Sequence, residues 1–246
     1  MKLNKLIVVN GVMTAVEGIH IGGTNDGTQI GGCDNPVIRN PITGDPYIPG
    51  TSVKGVMRSG LEKKNFDKKK YDNMVAEANR ATSEGERKRL MNKANDYASK
   101  PCGCGSKTCM ICTMFGAHMN TKANSGEPRL IIRDMQMNEE FKEYLKEHGI
   151  NMRATVETRT ATMIDRSTNT AAGTSLRNFE RVTAGVKFDC EFVIKVFEGD
   201  NEDKLMDTLK EAIEYVGQIG LGAKHTSGNG KVSFDINWDK VKVINM

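Results

Sequence analysis

Between Leu3 and Val16 the chain mixes β-branched and polar residues in partial alternation, the pattern of a half-buried strand. A stricter alternation runs from Val186 to Phe197 (VKFDCEFVIKVF), and shorter runs predict strands at Leu130 to Met137 and Lys231 to Ile236. Elsewhere the spacing is helical. Val53, Val56, Met57 and Leu61 share one face of a segment that Thr51 or Ser52 can cap and that runs to about Lys64. Leu205, Leu209, Ala212, Ile213 and Val216 form a second apolar face between Asp203 and Ile219. A short helix is expected from Glu139 to Glu147, ended by Gly149. Residues 66–98 are helix-prone but polar, an excursion that covers little core. Residues 153–184, with many Thr, Asn and Arg, suit an exposed hairpin or arm. The order strand, helix, strand occurs twice, which fits a ferredoxin-like α+β sandwich with long insertions.

Composition narrows the class. At 246 residues and 38% hydrophobic the chain can bury a core, although its mean hydropathy of −0.48 is polar. No apolar run reaches the ~18 residues of a membrane span. The N-terminus, MKLNKLIVVN, is too short and strand-like for a signal peptide. The expectation is a cytoplasmic protein without a membrane partner, whose six cysteines are thiols or metal ligands rather than disulfides. The net charge of +4 is unevenly placed: Lys54 to Lys100 holds 13 basic and 7 acidic residues. A local basic excess suggests an anionic partner, nucleic acid first, although a solvated helical face has the same composition.

Three loops carry candidate chemistry. His20 to Arg58 holds five glycines before an isolated acid, Asp34, then two proline-rich turns and a helix start bearing Lys54 and Arg58. Glycines permit close approach of the main chain to a ligand, and long ordered loops are usually functional. The loop reads as a polyanion site around one carboxylate. Alone, Asp34 is more often a turn former, and Asp26, Asp45 and Asp165 are rivals. In CGCGSKTCMIC, Cys102, Cys104, Cys109 and Cys112 can converge on one tetrahedral zinc, a closed and therefore structural site. The tight Cys-x-Cys pair leaves His118 open as a substitute ligand, and a redox Cys-x-x-Cys is the rival reading. The third loop, GLGAKHTSGNGKV, lacks the nucleotide P-loop pattern but carries Lys224, His225 and Lys231 among glycines, a phosphate cradle or a flexible turn. On the arm, Arg153, Arg159, Arg166, Arg177 and Arg181 are candidates for phosphate and sugar.

In combination, HIGG, GGCDNPVIRNPITGDPYIPGTSVKGVMRS, DRSTNTAAGTSLRNFERV and IGLGAKHTSGNGKV resemble the RAMP superfamily of CRISPR proteins. Within it they resemble the repeated backbone subunit of type III-A effector complexes or its type III-D counterpart. The resemblance implies one RAMP domain over residues 1–246: an RRM-like palm, a helical and zinc-loop insertion at about 62–118, and a projecting thumb hairpin at about 155–182. It implies a filament of copies along crRNA, with other subunits of the complex, whose thumbs splay a nucleotide of the target RNA at regular intervals. It places Asp34 at the position that supports target cleavage. His20, Ser52, Lys54, Arg58, Arg166, Arg181, Lys224, His225 and Lys231 are then the RNA-binding candidates. The glycine loop departs from the family in offering lysine and histidine where arginine is usual. The implied activity is a metal-dependent endoribonuclease, with Mg²⁺ or another divalent ion assisting cleavage; the alternative is a non-cleaving guide-RNA scaffold. One carboxylate is too few for a two-metal cage, which favours attack by the RNA's own 2′-OH.

Overall fold

The computed structural model describes residues 2–23, 33–120, 122–173 and 175–246. The glycines at 27, 31 and 32 and the rival acid Asp26 lie outside them.

A long first strand, β1 (Leu3–Ala15), is the spine of a five-stranded sheet. It pairs antiparallel with β5 (Lys187–Phe197) along almost its whole length. Its other edge is shared by β6 (Val232–Ile236), opposite Gly11–Ala15, and β7 (Lys242–Asn245), opposite Lys5–Val8. The outer strand β2 (Leu130–Ile132) completes the order β2-β5-β1-β6, every pair antiparallel. Alternation does what it predicts: Ile7, Val9, Met13 and Ala15 of β1 and Phe188, Cys190, Phe192, Ile194 and Val196 of β5 are buried in one core. The interleaved Asn10, Lys187 and Asp189 stay exposed.

Two helices join that core, α1 (Gly50–Lys64) and α6 (Glu202–Ile219). Val53, Met57 and Leu61 of α1 and Leu205, Leu209, Ala212, Ile213 and Val216 of α6 are the buried positions, as the helical spacing requires. Gly60 lets the Tyr215 ring press against α1 where any side chain would collide with it. A short helix, α4 (Met110–Phe115), packs against both.

Several expectations change. Neither Thr51 nor Ser52 caps α1: the cap residue is Pro49, and the first helical amide, Gly50 N, donates 2.8 Å to Asp134 Oδ1 from across the fold. Strand β2 is cut short where its register with β5 shifts. Leu130–Ile132 pair in one register with β5, whereas Met137 bridges Phe188 one residue out of step, so the chain bulges around Asp134. The fold closes on β7 rather than β6. Residues 66–98 form α2 (Lys68–Arg80) and α3 (Glu84–Ser99), an antiparallel pair whose buried residues are Ala78 and Ala94. Helix α5 (Glu139–Glu147) and the hairpin β3 (Val156–Ala161) and β4 (Arg177–Val182) stand as expected. No helix is long and apolar enough to cross a membrane.

Candidate functional site

Four segments meet at the root of the β3–β4 hairpin. The chain leaving β1 runs along β4, with Ile19 N and O bonded to Val182 O and N at 3.0 and 2.7 Å. After the glycine loop it returns along the same edge, where Glu180 N donates to Asn35 O at 2.9 Å. Asp34 therefore lies on β4: its Oδ2 accepts from Asn178 N at 3.2 Å, and the residue stays exposed. The Glu180 carboxylate secures the returning limb by accepting from Val37 N (3.1 Å) and the Arg39 guanidinium (3.2 Å).

The C-terminal glycine loop closes the other side. Ala223 N donates to His20 O and Gly230 N to Gly18 O, both at 2.8 Å. Gly222, at φ +84°, has no room for a Cβ against the His20 carbonyl. Lys224 sits in the left-handed region (φ +64°) with its ammonium 3.2 Å from the centre of the Phe179 ring, a cation–π contact. His225 and Lys231 are exposed.

Three basic candidates turn inward. His20 is 9% exposed; its Nδ1 is 2.5 Å from Glu180 O and its ring meets Phe179 edge-on. Arg181 bonds Glu157 Oε1 and Asn229 Oδ1, each at 2.6 Å, and lies over Gly18, where a Cβ would collide with it. Arg58 bonds Glu62 (2.8 Å) and Cys102 O (2.7 Å). These bonds occupy one ring nitrogen of His20 and two of the three nitrogens of each guanidinium, and they fix all three side chains in the framework of the site. Ser52 and Lys54, on α1, are half-buried. Burial first, then the neighbouring Arg58 and Lys195, hold the Lys54 ammonium below the usual lysine range. Arg166 is exposed at the hairpin tip, beside Met163 and Ile164, which are also exposed. The rival acid Asp165 accepts from Ser167 N at 2.7 Å as a turn former, and Asp45 pairs with Lys142 at 3.1 Å.

The cysteine loop is a second centre. The sulfurs of Cys102, Cys104, Cys109 and Cys112 all lie within 4.8 Å of one another. Cys102–Cys109, Cys104–Cys112 and Cys102–Cys112 are 3.8, 3.6 and 3.7 Å apart. His118 is exposed and braces the loop through its main chain, donating to Cys102 O at 3.1 Å, so four sulfurs rather than three converge. Gly105 N points at Cys112 Sγ, 3.4 Å away. Burial pushes the Cys112 and Cys102 thiols up.

A family model for the RAMP superfamily matches residues 12–233. The chain belongs to the RAMP superfamily. Two curated relatives, both called CRISPR system Cms endoribonuclease Csm3, are similar along most of their length. The one from Methanocaldococcus jannaschii is 32% identical over 93% of this chain and 78% of its own. The one from Methanothermobacter thermautotrophicus is 31% identical over 95% and 85%. Among solved structures, a chain of the crystal structure of the Csm3–Csm4 subcomplex of the type III-A CRISPR-Cas interference complex superposes with a TM-score of 0.54 at 22% identity, covering 100% of this chain and 90% of that one. A chain of the cryo-EM structure of the type III-B Cmr-β complex bound to cognate target RNA gives 0.55 at 12% identity, over 93% and 96%.

In this RAMP protein, sequence reasoning missed Glu180, Asn229 and Asp134, which hold the site together without touching its solvent side. Their partners lie 143, 48 and 84 residues away, so no local pattern marks them.

Proposed function

We propose that this chain is the repeated backbone subunit of a type III CRISPR effector complex, binding crRNA and cutting complementary target RNA with Asp34. The antiparallel sheet with its two helices is the ferredoxin-like palm, and the β3–β4 hairpin is the thumb. Relatives named as endoribonucleases support the activity. The observation that carries the assignment of the acid is its position: an exposed carboxylate held on the thumb's root strand, where the glycine loop also docks. His20, Ser52, Lys54, Arg58, Arg166, Arg181, Lys224, His225 and Lys231 are the side chains that meet RNA, with the exposed Arg166, His225 and Lys231 the most accessible to phosphates. Such contacts tolerate any sequence and weaken with salt.

A regular duplex keeps each 2′-oxygen out of line with the leaving 5′-oxygen. A thumb that splays one target nucleotide frees that linkage to rotate into line. Asp34 takes the 2′-OH proton as the oxygen attacks phosphorus; the new P–O2′ bond forms, the P–O5′ bond breaks, and water protonates the departing 5′-oxygen. The products are a 2′,3′-cyclic phosphate and a 5′-hydroxyl. Among the described residues the cysteine group is the only cluster of three or more candidate metal ligands, so Mg²⁺ at Asp34 would rely on RNA oxygens and water for its other ligands. When bound it would neutralise the scissile phosphate.

Zinc is the ion the four cysteines fit. Tetrahedral thiolates about 2.3 Å from zinc stand about 3.8 Å apart, and the Cys102–Cys109, Cys104–Cys112 and Cys102–Cys112 separations are 3.6 to 3.8 Å. All four positions are protein sulfurs, so the zinc holds the loop and does no chemistry. One zinc in each purified chain is the expected analysis; a metal-free protein with a Cys109–Cys112 disulfide would restore the redox reading.

The deciding experiment assembles the complex with guide RNA and compares Asp34→Asn with the unaltered chain. The variant should bind complementary RNA equally and cut it at least about 100-fold more slowly. Equal cutting would leave a scaffold whose nuclease lies elsewhere.

A further inference from the structure

The outer edge of β4 is a template for the catalytic loop. In an antiparallel hairpin alternate amides face the partner strand and the others face away. The amides of Val182, Glu180 and Asn178 face away from β3. Val182 N donates to Ile19 O at 2.7 Å, Glu180 N to Asn35 O at 2.9 Å, and Asn178 N to Asp34 Oδ2 at 3.2 Å. At the first two rungs the acceptor is a main-chain carbonyl. At the third, a side-chain carboxylate stands in for the carbonyl. The two limbs of the loop are thus tied to one strand, and the acid is the next rung after the last main-chain one. The Asn178 side chain is engaged across the hairpin, where its Oδ1 accepts from Thr160 Oγ1 at 2.9 Å.

We infer that the main-chain amide of Asn178 is a positioning donor for Asp34, so that the acid is carried by the thumb of its own subunit. This rests on the reading of Asp34 as the cleavage acid. The thumb thereby gains a second role. Displacing its root displaces the carboxylate, which links the seating of a target strand to the aim of the base. A misplacement of about 1 Å at a reacting group can cost about 100-fold in rate.

Asn178→Pro removes the N–H while keeping an extended strand, and the lost amide is one that β3 does not use. Asn178→Ala keeps the amide and removes the side chain. In the assembled complex, single-turnover cleavage by the proline variant should fall at least about tenfold at saturating target, with target affinity unchanged. The alanine variant should match the unaltered chain. Asp34→Asn combined with Asn178→Pro should be no slower than Asp34→Asn alone, because both act through one carboxylate. If the proline ring disturbs the hairpin, seen as weaker guide or target binding, the α-hydroxy analogue of alanine at 178 replaces N–H by an ester oxygen without a ring, and the same loss of rate is expected. Full cleavage by the proline or ester variant, while Asp34→Asn is inactive, overturns the inference and leaves the reading of Asp34 standing. An alanine variant as slow as the proline one overturns it too, by assigning the effect to the side chain. Full cleavage by Asp34→Asn overturns both.

Discussion

The cysteine loop and the Asp34 loop are both irregular, and they are held by opposite means. Four sulfurs within eleven residues of sequence organise the first, so its determinants are local. The limbs that flank Asp34 are held by partners from far along the chain: Asn178 and Glu180 on β4, and the glycine loop beyond α6. A local site can be read from spacing and should fail locally. A site assembled from distant strands is invisible to spacing, and it responds to anything that moves those strands.

The largest effect expected from breaking this contrast is on the cysteine side. With zinc bound as proposed, Cys112→Ser should release it and remove several kcal/mol of stability, read as a lower melting temperature together with loss of zinc. The damage should stay in the loop and in α4, and hydrogen exchange at the Ile19 and Val182 amides should not change. Exchange that spreads to the thumb root would mean that the two loops are not independent.

Next comes Arg181, which ties the β3–β4 hairpin to the glycine loop. Arg181→Ala leaves Glu157 and Asn229 without their guanidinium and should cost about 2–3 kcal/mol by thermal melting. It should also speed exchange at the Ala223 and Gly230 amides. Arg181→Lys should not restore them, because a single ammonium lacks the planar fork that reaches both partners. Unchanged melting would make the glycine loop self-supporting, like the cysteine loop.

The extent to which these features were legible follows the same division. Alternation gave β1 and β5, helical spacing gave α1 and α6, and the cysteine spacing gave the cluster. Strand β7 is four residues long and gave no period to detect. The Asp134 cap on α1 and the bulge beside it depend on tertiary contact. The charged candidates divide by geometry rather than residue type. Arginine marks a polyanion site and an internal strut equally well, and only position separates Arg166 at the tip from Arg58 and Arg181 in the framework.

The smallest expected effect is at Lys54. Its ammonium is disfavoured in the free protein, so it loses charge at lower pH than an ordinary lysine. A bound phosphate favours the charged form, so binding takes up a proton, and guide affinity falls, only as pH rises through the lowered value; below it the ammonium is charged in both states. Lys54→Arg, charged throughout, should flatten the dependence. Lys54→Ala should reduce the salt slope by about one phosphate contact. A slope unchanged in Lys54→Ala would remove α1 from the RNA surface.

The α2–α3 pair has a consequence for how this chain can be edited. It leaves the body after α1 and returns at Cys102, and the two attachment points are clamped together: Arg58 bonds Cys102 O, and Glu62 accepts from Cys102 N at 2.8 Å. The intervening helices pack on each other, bury only Ala78 and Ala94, and owe the sheet little. The chain is therefore modular at this point. Residues 68–99 can be shortened to a linker, replaced by a reporter, or opened to give new termini, with the cysteine loop and the thumb root keeping their places.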